Sequence, residues 1–287
     1  MKGYSKLNLI LGFIKLLRPL NIAVAASAVL VSAYILGVYE QYYILTCVVI
    51  VVIAYNGAAN AFNDYCDYEI DLINRPNRPL SRGMITSFQA LSFAVILFAI
   101  GSVTAFQLPF YAMLTAVGIA MPLIIIYSLR LKGTPLFGNI TVAVILGLTF
   151  VFCGLAFNKL GPMVIPAILA FGLTLVRELI KDIADVEGDN SAGLKTLPLV
   201  IGKNKAITVA VINTVLIGLG ALLPYFFHIY GKYYLILLVI GVEIPLAMIV
   251  VLFMKSPSIS TARQSAKLLK FSTIIGLTAI LVDYYAS

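Results

Sequence analysis

Four acidic side chains, Asp64, Asp67, Glu69 and Asp71, fall within eight residues of the stretch NDYCDYEIDLINRPNRPLSRG, residues 63–83, and Arg75, Arg78 and Arg82 follow at once. A second group, Glu178, Asp182, Asp185, Glu187 and Asp189, lies in RELIKDIADVEGDNSAGLKT. The two groups hold nine of the chain's twelve acids. Both contain D-x-x-D-x-x-x-D, as DYCDYEID and as DIADVEGD. At 100° per residue, positions i, i+3 and i+7 lie within about 60° of one another, so the spacing predicts each trio of carboxylates on one helix face. Asn63, Asp67 and Asp71 add an i, i+4, i+8 ladder of oxygen ligands.

Carboxylates stacked this closely repel, and a low-dielectric membrane nearby raises the cost unless a cation sits between them. Hard oxygen ligands that leave room for water and phosphate oxygens suit Mg²⁺. The turn and distal glutamate of a calcium-binding EF-hand are missing. Arg75, Arg78 and Arg82 sit in a loop held by Pro76 and Pro79, Lys181 adjoins the second stripe, and Lys195 follows it. Metal-holding carboxylates beside fixed guanidinium groups make a receptor for a polyphosphate, whose oxygens the arginines fork onto.

The elements that carry these residues are apolar. Of 287 residues 61% are hydrophobic and 11% charged, and the mean hydropathy is +1.03. The chain reads as an all-α polytopic membrane protein with one domain over residues 1–287. The first 19 residues alternate apolar side chains with Lys2, Lys6, Lys15 and Arg18, the pattern of an amphipathic lead-in helix and not of a cleaved signal. Nine apolar runs follow: Leu20–Val38, Tyr42–Phe62, Phe88–Phe106, Pro109–Leu129, Pro135–Phe157, Pro162–Ile180, Ala206–Phe226, Tyr233–Met254 and Leu268–Tyr284. With a cytoplasmic N-terminus, eighteen of the twenty lysines and arginines fall on the cytoplasmic face, leaving Lys159 and Lys232 outside. Both acidic stripes then face the cytoplasm, and the net charge of +8 needs no nucleic-acid partner. Tyrosines at 39, 42, 43, 225, 230, 233, 234, 284 and 285 read as an interfacial belt on the outer side. Cys47, Cys66 and Cys153 are too scattered for a ligand pair, and His228 stands alone.

A diphosphate held at the end of an apolar helical bundle suits a substrate with a charged head and a hydrocarbon tail, as in a prenyl diphosphate. Its chemistry asks the protein to stabilise the departing diphosphate, to position a nucleophile at the cation-like allylic carbon, and to exclude water.

NDYCDYEID resembles the N-D-x-x-D-x-x-x-D signature of the UbiA superfamily of intramembrane prenyltransferases, and DIADVEGD its second aspartate-rich motif. The nine-helix count, the motifs after helices two and six, and the NRPNRPL continuation match as well. The resemblance implies nine helices around a central cavity and two Mg²⁺ ions, one on Asn63, Asp64, Asp67 and Asp71 and the other on Asp182, Asp185 and Asp189. It makes Asp67, Asp71, Asp185 and Asp189 catalytic, with Arg78 and Lys181 as diphosphate contacts, which Arg75 and Arg82 join from the loop reading, with Lys132 as a candidate from the end of helix four. YSLRLK, residues 127–132, is similar to the family's tyrosine-plus-basic segment, which implies a cation-π role for Tyr127 and leaves open whether Arg130 or Lys132 meets the diphosphate. Within the superfamily the wording is most similar to the archaeal branch that moves a geranylgeranyl group onto the hydroxyl of geranylgeranylglyceryl phosphate, completing the second ether of the lipid core. An acceptor of that kind carries its own phosphate, for which Arg18 is the candidate. The partners implied are a prenyl diphosphate, a lipid-like acceptor and membrane lipids, with no obligate protein partner. Transfer to an aromatic acceptor would leave both motifs unchanged. Repeated acidic motifs also suggest an ion-coupled transporter, against which stands their position at helix ends, with Glu243 the one acid near a midplane.

Overall fold

The computed structural model describes residues 6–286. Lys2, one of the basic residues counted above, and the start of the lead-in lie outside them. The helices are α1 (Lys6–Leu17), α2 (Pro19–Ile35), α3 (Tyr42–Cys66), α4 (Tyr68–Asn74) and α5 (Ser87–Ala105), then α6 (Phe110–Leu131), α7 (Phe137–Ala156) and α8 (Gly161–Ser191). The short α9 (Leu197–Ile201) precedes α10 (Lys203–Phe226), α11 (Lys232–Lys255) and α12 (Ile259–Ala286). No strand occurs among the described residues.

Eight of these helices are long and apolar enough to cross a membrane, and α1 with α2, bent by 47° at Arg18, makes a ninth candidate span. The chain is thus a multi-pass membrane protein. Hydropathy marks the lipid-embedded part of a helix and not its ends. α8 therefore runs on from Ile180 to Ser191, α3 from Phe62 to Cys66, and α12 starts at Ile259, well ahead of Leu268.

Contacts divide the chain into two compact units, Met1–Leu129 with Phe152–Leu160, and Arg130–Val151 with Gly161–Ser287. In the first, α5 packs along α3 through small residues: Ala54, Ala58 and Ala61 on one, Ala90, Ala94 and Gly101 on the other, all buried. Lipid supplies no hydrophobic drive between helices, so close backbone approach does the work. A Cβ on Gly101 would meet the Tyr55 ring at 2.5 Å. The outer face of α5 shows Val95, Ile96, Ile100 and Val103, the aliphatic surface that lipid solvates. Leu16 of α1 is fully buried in a cluster with Ala61, Leu80, Ile85, Ala90 and Ala94, while Leu7, Ile10, Leu11 and Ile14 are exposed. Asn60 donates to the Leu17 carbonyl at 3.1 Å, which ties the end of α1 to α3 just before the first acidic stripe.

In the second unit α8 packs on α12 and α10. Its end is a Schellman motif: Gly193 has φ +67, Leu194 N–H bonds the Asp189 carbonyl at 3.0 Å and Gly193 N–H the Asn190 carbonyl at 3.1 Å. The chain then turns back so that Lys195 N–H reaches the Gly133 carbonyl at 2.8 Å, joining the loops after α8 and α6. Gly193→Ala forces a Cβ into the left-handed region and is expected to cost about 1–2 kcal/mol, read as a lower melting midpoint; an unchanged midpoint would refute this account of the turn.

Candidate active site

The first stripe is built at a helix junction. α3 ends at Cys66 and α4 begins at Tyr68, so Asp67 lies between them with φ −88 and ψ 3. The expectation of one continuous helix face is corrected here: the trio spans two segments. The junction is slight, because Asp67 N–H still bonds the Asn63 carbonyl (2.9 Å) and Asp71 N–H the Asp67 carbonyl (2.8 Å). α4 stops at Asn74 because Arg75 precedes Pro76 and takes φ −142, ψ 61, outside the helical region.

Asp64, Asp67 and Asp71 are 3%, 6% and 5% exposed, and one guanidinium gathers their carboxylates. Arg78 donates to Asp64 at 2.9 Å and to Asp71, and lies 3.9 Å from Asp67. Arg18 donates to the same Asp64 oxygen at 2.5 Å. Arg18 is left-handed, φ 53, at the bend between α1 and α2, and Pro19 behind it disfavours the ordinary helical conformation. A non-glycine residue in that region costs energy that the surroundings must hold in place, and the Asp64 ion pair does so. Burial pushes the Asp71 carboxyl up from its ordinary value against the opposing Arg78 charge, and burial lowers Arg78.

Arg75 and Arg82 are exposed. Arg82 donates to Asn77 at 2.5 Å, and the Arg75 charge still reaches Asp71. Of the three loop arginines, Arg78 is the one partly buried against the stripe. Asn63 is half-buried and Glu69, off the stripe, is exposed.

The second stripe lies on one unbroken helix. Glu178, Asp182, Asp185 and Asp189 repeat at i, i+4, i+7 and i+11 along α8. Glu178, 6% exposed, accepts from Arg177 at 2.7 Å and from Lys181 at 3.1 Å, so it fixes the lysine that the sequence assigns to phosphate. Asp182 accepts from Asn139 of α7 at 2.9 Å. The charge of Lys132 reaches both Glu178 and Asp189, while Arg130 is exposed; of the two basic residues left open above, Lys132 is the one beside the motif. Tyr127 is half-buried at the start of a π-helical turn, Tyr127–Leu131. Sequence reasoning missed Asn139 and the Glu178 clamp. A lone amide in FGNITVAV and a fourth acid one turn before the motif were the signals.

Among the described residues no three carboxylate, imidazole or thiolate groups converge as a complete metal cage. Mg²⁺ seldom uses one: it takes one or two carboxylates and keeps waters and substrate phosphates. The residues fit it on that footing. Both donor sets are oxygen, and the Asn139 amide oxygen is buried with no hydrogen-bond partner.

A family model described as the UbiA prenyltransferase family matches residues 18–274. The chain belongs to that family. It is similar to the digeranylgeranylglyceryl phosphate synthases of Pyrococcus furiosus, 38% identical over 274 residues covering 94% of this chain and 96% of that one, and of Methanosphaera stadtmanae, 39% identical over 229 residues covering 80% and 83%. Among solved structures, a digeranylgeranylglyceryl phosphate synthase in membranes matches with a TM-score of 0.80 and 30% identity over 97% of this chain and 99% of that one. A UbiA homolog from Archaeoglobus fulgidus bound to GPP and Mg²⁺ has a TM-score of 0.64 over 94% and 99%, and at 16% identity the likeness is one of fold. This prenyltransferase thus carries the family match across both of its compact units.

Proposed function

We propose that this enzyme transfers a geranylgeranyl group from geranylgeranyl diphosphate to the free hydroxyl of geranylgeranylglyceryl phosphate, forming the second ether bond of an archaeal membrane lipid. The observation that carries the donor half is the burial of Asp64, Asp67 and Asp71 around the Arg78 guanidinium, an acidic stripe with a fixed cation at the end of an apolar helix. The acceptor half rests on relatives named digeranylgeranylglyceryl phosphate synthase that align along nearly the whole chain. Helices that bind the hydrocarbon tails and a site facing the cytoplasm, as the lysine and arginine bias favours, complete the reading.

In the first unit Asn63, Asp64, Asp67 and Asp71 are assigned to one Mg²⁺, and Arg78, with Arg75 and Arg82 at the rim, to diphosphate oxygens. In the second unit Asp182, Asp185 and Asp189 are assigned to another Mg²⁺, with Lys181, held by Glu178, and Lys132 on phosphate oxygens. When bound, Mg²⁺ supplies Lewis-acid neutralisation of the leaving diphosphate. The allylic carbon–oxygen bond breaks, a new bond forms to the acceptor oxygen, and the hydroxyl proton passes to a motif carboxylate or a diphosphate oxygen. Tyr127 is assigned to the face of the allylic cation. Arg18 is assigned to the acceptor phosphate, for which it would exchange Asp64.

The acceptor is tested by offering purified protein geranylgeranyl diphosphate and Mg²⁺ with geranylgeranylglyceryl phosphate or with 4-hydroxybenzoate. Product with the glyceryl phosphate alone is expected. Product with the aromatic acid alone would move the enzyme to quinone synthesis.

A further inference from the structure

The first motif is preceded by an asparagine, Asn63, and the second by Lys181 in the same place. The structure brings an asparagine to the second motif from another helix. Asn139, 5% exposed near the start of α7, donates its amide N–H to Asp182 Oδ2 at 2.9 Å. Its own oxygen, Oδ1, is buried and bonded to nothing.

A buried carbonyl oxygen left without a donor costs about 1–3 kcal/mol, and such atoms in native proteins call for a reason. Reversing the amide does not remove the cost, since it would set oxygen against the Asp182 carboxylate and waste the donor. The backbone just before Asn139 is closely packed. α7 begins hard against the end of α6: a Cβ on Gly138, the preceding residue, would meet the Leu131 carbonyl at 2.6 Å. Glu178 and Asp189 set like charge beside Asp182, against which Lys181 sets the opposite charge. The nearest lysine of the motif, Lys181, donates to Glu178. An acceptor-only oxygen, on an amide hydrogen-bonded to one of a stripe of carboxylates, matches a hard divalent cation.

We infer that Asn139 belongs to the cation site of the second motif, its amide N–H orienting Asp182 and its Oδ1 serving as an oxygen ligand. It is the counterpart of Asn63, supplied by tertiary packing in place of sequence adjacency. The inference rests on the two-ion reading above.

The test is Mn²⁺ binding by metal-stripped protein, followed by loss of the free-ion paramagnetic resonance signal. It is run in an Asp67→Asn background, where the first motif is weakened. Asn139→Ala is expected to weaken Mn²⁺ binding about 10- to 100-fold. Asn139→Asp restores an oxygen at the same place and sets a like charge against Asp182, so it is expected to bind Mn²⁺ at least as well as its parent and to melt lower in chelator, with Mn²⁺ reversing the loss. Parental Mn²⁺ affinity in both variants would overturn the inference and leave the two-ion reading standing. So would weak binding in Asn139→Asp matching that in Asn139→Ala, the mark of a merely structural amide. No Mn²⁺ binding by the Asp67→Asn parent would overturn both.

Discussion

Asp67→Asn and Asp185→Asn each lower turnover roughly 10²–10³-fold at saturating substrate, the scale of removing one group that stabilises developing charge, while the melting midpoint in chelator stays near that of the wild type. Two features lead to this expectation. Asparagine is isosteric with aspartate; it removes the charge and turns one acceptor oxygen into an amide donor. Asp67, moreover, is 3.9 Å from Arg78, beyond hydrogen-bonding range, whereas Asp64 and Asp71 are bonded to it, so the ionic lock survives the substitution. Steady-state kinetics at several Mg²⁺ concentrations checks it. Near-normal turnover in both variants would reject the assignment of the two motifs to metals.

Arg78→Met has its largest effect on stability. The Arg78 guanidinium is 14% exposed and touches two aspartates that are each under a tenth exposed. Removing it strands buried negative charge, which costs about 3–5 kcal/mol where one member of a buried pair is deleted. If the same carboxylates hold Mg²⁺, the ion restores much of that loss, because binding to the folded state alone stabilises it. The expected result is a melting midpoint far below wild type in chelator that rises steeply with Mg²⁺. Equal destabilisation at all Mg²⁺ concentrations would mean that Arg78 is a structural counter-ion and that the stripe takes no metal. Arg78→Lys keeps the charge without the fork and should fall between the two.

Much of this was legible in the sequence because membrane folding is written in hydropathy and charge. The nine apolar runs correspond to the eight long helices and the bent pair, and the acidic repeat picked out Asp64, Asp67 and Asp71, which the structure gathers on Arg78. What escaped depended on tertiary packing. Nothing in the spacing of Arg18 announces that it closes on Asp64, forty-six residues away, because the contact follows from the bend at Pro19 and the tie between Asn60 and Leu17. Asn139 was hidden by its apolar neighbours, and its role appears only when α7 is laid beside α8. The break at Asp67 was invisible for another reason: the two copies of D-x-x-D-x-x-x-D have identical spacing, yet the first runs into Pro76 soon afterwards and the second continues to a glycine-capped end.

The most direct test is mass spectrometry of the lipid formed by purified wild-type protein from geranylgeranyl diphosphate and geranylgeranylglyceryl phosphate, with Mg²⁺ or with chelator. Digeranylgeranylglyceryl phosphate and an equal amount of pyrophosphate are expected with Mg²⁺ and neither with chelator. The same product in chelator, or no pyrophosphate under either condition, would contradict metal-assisted prenyl transfer by this chain.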